Sequence, residues 1–109
     1  MIVITVKKSA DSYVSFTSKG HAGYADRGQD IVCAAVSALI ITTVNAMESF
    51  TEDIIDVTED DGFVSFQFQN PPTEKGKLLM DALLLGLTDI ENSYQNRYLT
   101  VKVREVLQP

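Results

Sequence analysis

The stretch from Gly20 to Ser37, GHAGYADRGQDIVCAAVS, holds the one histidine and the one cysteine of a 109-residue chain. His21 lies just past a strand pattern. Cys33 falls in the first turn of a helix pattern whose cap is Asp30. Unpaired N–H groups at a helix start carry partial positive charge, which favours a thiolate over a thiol. An imidazole brought alongside can take the thiol proton and form an ion pair with the sulfur. The helix-start amides, that of Cys33 among them, can donate to the oxyanion of a tetrahedral intermediate. Ala34 and Ala35 are small enough to let a peptide backbone approach. One loop and one helix start can therefore supply a nucleophile, a base and an oxyanion hole. The plainer alternative is a small buried hydrophobe for the cysteine and exposed polar surface for the histidine.

The surrounding elements must bring these groups together. Met1 to Lys7 alternates with Ile2, Ile4 and Val6 on one face, the period of a strand. Val14 and Phe16 alternate with Ser15 and Thr17 in a second strand that ends near Gly20. The carboxylate of Asp30 can accept from orphan N–H groups at the head of a helix reaching about Phe50. That helix is apolar nearly all round, so it must be covered on more than one side, within the domain or by another subunit. Ile54–Thr58 and Phe63–Gln69 read as strands joined by an Asp61-Gly62 hairpin turn. Pro71 and Pro72 stop the second of them. A helix from about Glu74 to Asn92 follows, with Leu78, Leu79, Leu83, Leu87 and Ile90 expected inward. Leu99, Val101 and Val103 mark a last strand. The order ββαββαβ predicts one α+β domain over residues 1–109, with two helices and a sheet of roughly five strands.

Composition narrows the function. Nine Lys and Arg stand against 15 Asp and Glu, a net charge of −6. An acidic chain disfavours direct nucleic-acid binding and suits a basic peptide or protein partner. A single cysteine makes no internal disulfide and provides no resolving thiol. One Cys and one His are too few for a structural zinc site. The apolar run Ile31 to Ile41 reads as too short to span a bilayer. MIVITVKK lacks the basic head of a secretory signal, so the expected location is the cytoplasm, with no membrane partner. Gly23 to Gly28 begins like a phosphate-binding loop, but Gln29 and Asp30 stand where that loop needs Lys and Ser or Thr. Gly20-His21-Ala22-Gly23 has the GxxG form of an RNA-clamping turn, yet it follows a strand instead of joining two helices. The acids Asp53, Asp56, Glu59, Asp60 and Asp61 do not match a calcium loop. They read as a solvated hairpin that can attract a basic substrate.

The block GHAGYADRGQDIVCAAVSAL strongly resembles the ribosomal-processing cysteine proteases of bacteria, the Prp family (YsxB-like proteins). That family's pattern stands here as Gly20-His21-Ala22, Gly28-Gln29-Asp30-Ile31-Val32-Cys33-Ala34 and Val36-Ser37. The resemblance implies an endopeptidase that removes a short N-terminal extension from the precursor of a large-subunit ribosomal protein, cutting after an aromatic residue. It implies His21 and Cys33 as the catalytic pair, no cofactor, and a homodimer. The alternative is a non-catalytic ribosome-associated binding protein. Asp30 has two open roles, orienter of His21 as a third triad member or plain helix cap; Asp26 is a weaker orienter. Gly20, Ala22, Gly23, Gly28, Ala34 and Ser37 are the expected substrate contacts, with Ser37 alternatively bonded within its own helix. The loop from Ala22 to Gln29 is expected to order over the bound peptide.

Overall fold

A computed structural model describes residues 1–26 and 28–107. The elements are β1 (Ile2–Ser9), β2 (Ser12–Lys19), α1 (Ile31–Phe50), β3 (Ile55–Asp60), β4 (Phe63–Phe68), α2 (Glu74–Ser93) and β5 (Leu99–Glu105). The expected ββαββαβ order is present. The five strands form one sheet in the order β3-β4-β2-β1-β5. It is mixed: β5 runs parallel to β1, pairing Ile2 with Leu99 and Val6 with Val103, and the other pairs are antiparallel.

The sheet has one dry face. Ile2, Ile4, Val6, Phe16, Phe66, Phe68 and Leu99 are buried under the two helices. Phe16 and Phe66 face each other in register and stack with centroids 5.0 Å apart. The opposite face carries Thr5, Thr17 and Ser65 side by side, a polar row that water can wet.

Two side chains depart from simple alternation, each for a local reason. The register slips between Lys7 and Lys8, which pair with Ser15 and Tyr13 and leave Val14 between them as the extra residue of a bulge. The bulge turns Tyr13 inward, so Tyr13 and Phe16 are both buried, and Val14, expected inward, is not in the core. The Tyr13 hydroxyl donates to Asp81 on α2. Burial, then that carboxylate, pushes its pKa well above the usual tyrosine value.

On α2 the buried row is Gly76, Met80, Leu83 and Leu87. Leu78, expected inward, is 67% exposed, because at about 100° per residue it falls off that row. Leu79 and Ile90 are only partly buried at its margin. Gly76 sits on the row for lack of space: a Cβ there would lie 2.0 Å from Asp53 Oδ2. That carboxylate accepts from the Thr73 N–H at 2.9 Å and from its hydroxyl at 2.7 Å, fixing the cap of α2. Gly76→Ala is therefore expected to destabilise the fold by about 1 kcal/mol in chemical denaturation. Lost charge-assisted hydrogen bonds outweigh alanine's better helix propensity. An unchanged midpoint would contradict that ranking.

The apolar run Ile31 to Ile41, read as too short to span a membrane, is the first part of the longer helix α1. The helix is long and apolar enough by length and composition. Here its row Val32, Val36, Ile40, Thr43 and Met47 is buried, and the Thr43 hydroxyl is satisfied by Leu39 O at 2.8 Å. Ile31 and Ile41 on its other faces remain 56% and 54% exposed.

Candidate active site

The motif from Gly20 to Ser37 lies where β2, α1 and the β3–β4 hairpin converge. β2 ends at Gly20, whose N–H donates to Gly62 O of the hairpin turn at 2.8 Å. Gly20 has φ +99°, and a Cβ there would sit 2.5 Å from Met1 O, so a side chain is excluded on both counts. The chain leaves this tether with His21 exposed and Ala22 buried. The imidazole rests on Gly62: a Cβ built there would lie 2.7 Å from His21 Nε2.

Ala22 turns its methyl into the core and offers only its backbone to the site. Its N–H donates to Cys33 Sγ at 3.2 Å. The half-buried sulfur thus sits in the first turn of α1 with a backbone donor aimed at it.

Asp30 ties the loop to this helix start. One carboxylate oxygen accepts from the Cys33 N–H at 2.9 Å, the other from the Tyr24 N–H at 3.1 Å. These are the bonds of the cap, one of the two roles left open for it; no hydrogen bond joins Asp30 to His21. Burial raises the Asp30 pKa, but N–H groups of Cys33, Tyr24 and Ala25 and the Cys33 thiol outweigh it, leaving the carboxyl below its ordinary 3.8. A depressed carboxylate pKa stabilises the folded state above the unfolded value and ceases to do so as pH falls through the folded value. Asp30→Ala is expected to cost about 1 kcal/mol near neutral pH. The difference from the unaltered chain should shrink below about pH 4, measured by thermal melts across pH; a constant gap would speak against the cap. The same geometry revises one expectation: the Cys33 amide, read as an oxyanion donor, is occupied by Asp30.

His21, Cys33 and Ser37 border two adjoining hollows. One, of about 250 Å³, lies between α1 and the hairpin and includes Gly20, Ile41, Glu59, Gly62 and Phe63. The other, of about 480 Å³, includes Gly23, Gly28, Asp30 and Ala34. Of the expected substrate contacts, Gly20, Gly23, Gly28, Ala34 and Ser37 thus line the walls, and Ala22 does not. Arg27, inside the loop expected to order over the substrate, lies outside the described residues. Among the described residues no group of three His, Cys, Asp or Glu side chains could hold a metal ion. His21 forms no hydrogen bond among the described residues. The hairpin wall escaped the sequence reading: Asp61-Gly62 signalled a turn, and nothing local in the sequence showed that the turn meets His21.

A helix-start sulfur held by a backbone N–H, with an imidazole on the same cleft, is the equipment of a thiol-dependent hydrolase. Comparison with known proteins gives the same class. The sequence profile described as "Cysteine protease Prp" matches residues 1–99, and the chain belongs to this family. The ribosomal processing cysteine protease Prp of Bacillus subtilis is 35% identical over 103 residues, 88% of this chain and 92% of its own. That of Mycoplasma pneumoniae is 36% identical over 95 residues, covering 86% and 87%. Among solved structures, the Prp protease of Staphylococcus aureus with a covalently linked product peptide superposes with a TM-score of 0.89. Its identity is 26%, and 94% of this chain and 99% of that one are covered. A Streptococcus mutans protein gives a TM-score of 0.84 at 32% identity, covering 97% and 96%.

Proposed function

We propose that the chain is a cysteine endopeptidase that removes the N-terminal extension from the precursor of a large-subunit ribosomal protein, with Cys33 as nucleophile and His21 as base. The observation that carries this reading is the Ala22 N–H on Cys33 Sγ at the head of α1, in a cleft that His21 also borders. His21 accepts the thiol proton and the thiolate attacks the scissile carbonyl. The Ala22 N–H, already at the sulfur, donates to the oxygen that becomes negative. His21 then gives its proton to the leaving amine, and water hydrolyses the thioester. The covalently linked peptide described for the S. aureus relative agrees with a covalent route.

Substrate binding brings the imidazole of His21 onto the sulfur of Cys33. The acids Glu59 and Asp60 beside the cleft favour a basic extension. Exposed Ile31 and Ile41 on α1 favour a homodimer that covers this helix. The site of action is the cytoplasm, where the ribosomal precursor is made. The test incubates the protein with synthetic peptides spanning precursor extensions and identifies products by mass spectrometry, beside Cys33→Ala. A defined cut made only by the unaltered chain supports the reading. An equal cut by Cys33→Ala overturns it.

A further inference from the structure

Three tyrosines far apart in sequence meet beside the catalytic loop. Tyr24, on the loop, lies edge-on to Tyr98 with centroids 5.2 Å apart and to Tyr94 at 5.7 Å. Tyr94 and Tyr98 are themselves 5.7 Å apart, with all three interplanar angles between 74° and 80°. This is a closed edge-to-face triangle, the geometry in which aromatic rings attract beyond their buried area.

Two corners of the triangle are fixed to the scaffold. Tyr94 is the C-cap of α2, its N–H bonded to Ile90 O at 3.2 Å, and Tyr98 O accepts from the N–H of Ile2 at 2.9 Å. Between them Gln95 and Asn96 both adopt positive φ, 57° and 59°. That backbone is costly for residues with side chains, and here it folds the two rings toward the same point.

The third corner is loose by itself. Tyr24 is 41% exposed and outside the buried core. Gly23, next to it, has φ +73°, a conformation glycine adopts at little cost. On the far side of Gly23 is Ala22, whose N–H holds the sulfur. The N–H groups of Tyr24 and Ala25, both directed at the Asp30 carboxylate, act with the ring contacts to restrain the segment on this side.

We propose that Tyr94 and Tyr98 are positioning residues for Cys33, gripping Tyr24 so that the Ala22 N–H stays on the sulfur. The proposal rests on the reading of Cys33 as nucleophile. It accounts for a half-exposed aromatic residue on a glycine-rich loop that contributes nothing to the core.

The test follows alkylation of Cys33 by iodoacetamide against pH in the full chain; as the only cysteine, it reports without ambiguity. In Tyr24→Ala the alkylation midpoint should move up by about half a pH unit to one unit. The rate near neutral pH should fall about three- to tenfold as thiolate is lost. Tyr24→Phe, which keeps the ring edge, should follow the unaltered profile. Tyr98→Ala should match Tyr24→Ala, and the double variant should be no worse than either alone, because one contact serves both. Tyr24→Ala lies outside the core and should melt with the unaltered chain, so it stays informative if Tyr98→Ala fails to fold. An unshifted pH profile in Tyr24→Ala, or a shift equally large in Tyr24→Phe, overturns the proposal. Alkylation needs no substrate. A chain that shows these shifts but cuts no precursor peptide loses the protease reading and keeps the clamp.

Discussion

Cleavage of an extended precursor peptide is expected to vanish in Cys33→Ala and to fall about a thousandfold in kcat in His21→Ala, with both chains folded. The two losses differ in kind. Without the sulfur the proposed covalent route is closed. Without the imidazole the sulfur keeps its helix start and its backbone donor. A helix start is worth about 1 kcal/mol to a neighbouring anion, less than a factor of ten in ionisation. A positioned base contributes about a hundred- to ten-thousandfold, so the imidazole dominates. The pH profile separates the terms. In His21→Ala the residual rate should climb with pH as hydroxide ionises the thiol. It should stay below the unaltered chain, because no group remains to protonate the leaving amine. Steady-state kinetics across pH on one peptide provides the measurement. His21→Ala running at full rate would leave the imidazole as a bystander.

The parts of the site that are close in sequence were legible before the fold was known. Asp30 as cap, Cys33 in the first helical turn and His21 past the end of β2 all follow from local rules of helix starts and strand period. So did the ββαββαβ order, because each element carries its own hydrophobic rhythm. What stayed hidden depends on register or on distant contact. Tyr13 replaced Val14 in the core because a single bulged residue reverses which side chain faces inward. Leu78 stayed outside because Met80 and Gly76 occupy the buried row of α2. In a leucine-rich helix several rows look alike. The meeting of Tyr24 with Tyr94 and Tyr98, and of His21 with Gly62, has no local signature. The fold alone brings those pairs together.

The contact at Gly62 leads to the second large effect: Gly62→Ala is expected to lower kcat about a hundredfold with only a modest loss of stability. The added Cβ would stand 2.7 Å from His21 Nε2, 3.1 Å from Cε1 and 3.3 Å from Cδ2. The ring must retreat by about 1 Å to reach ordinary contact, and an error of that size in a reacting group costs about a hundredfold in rate. Stability responds less, because an exposed imidazole swings away cheaply. What remains is the backbone, since φ at Gly62 is +66°. An L-residue there costs roughly 1–2 kcal/mol, a drop in Tm of about 4–8 °C per kcal/mol for a small domain. Gly62→Asn separates the two causes. Asparagine tolerates a left-handed backbone but carries the same Cβ. It should recover most of the Tm and none of the kcat if the imidazole is displaced. Recovery of both in Gly62→Asn would assign the loss to turn strain and free His21 from the hairpin. The expected split would make the turn between β3 and β4 the seat of the proposed base as well as a wall of the cleft.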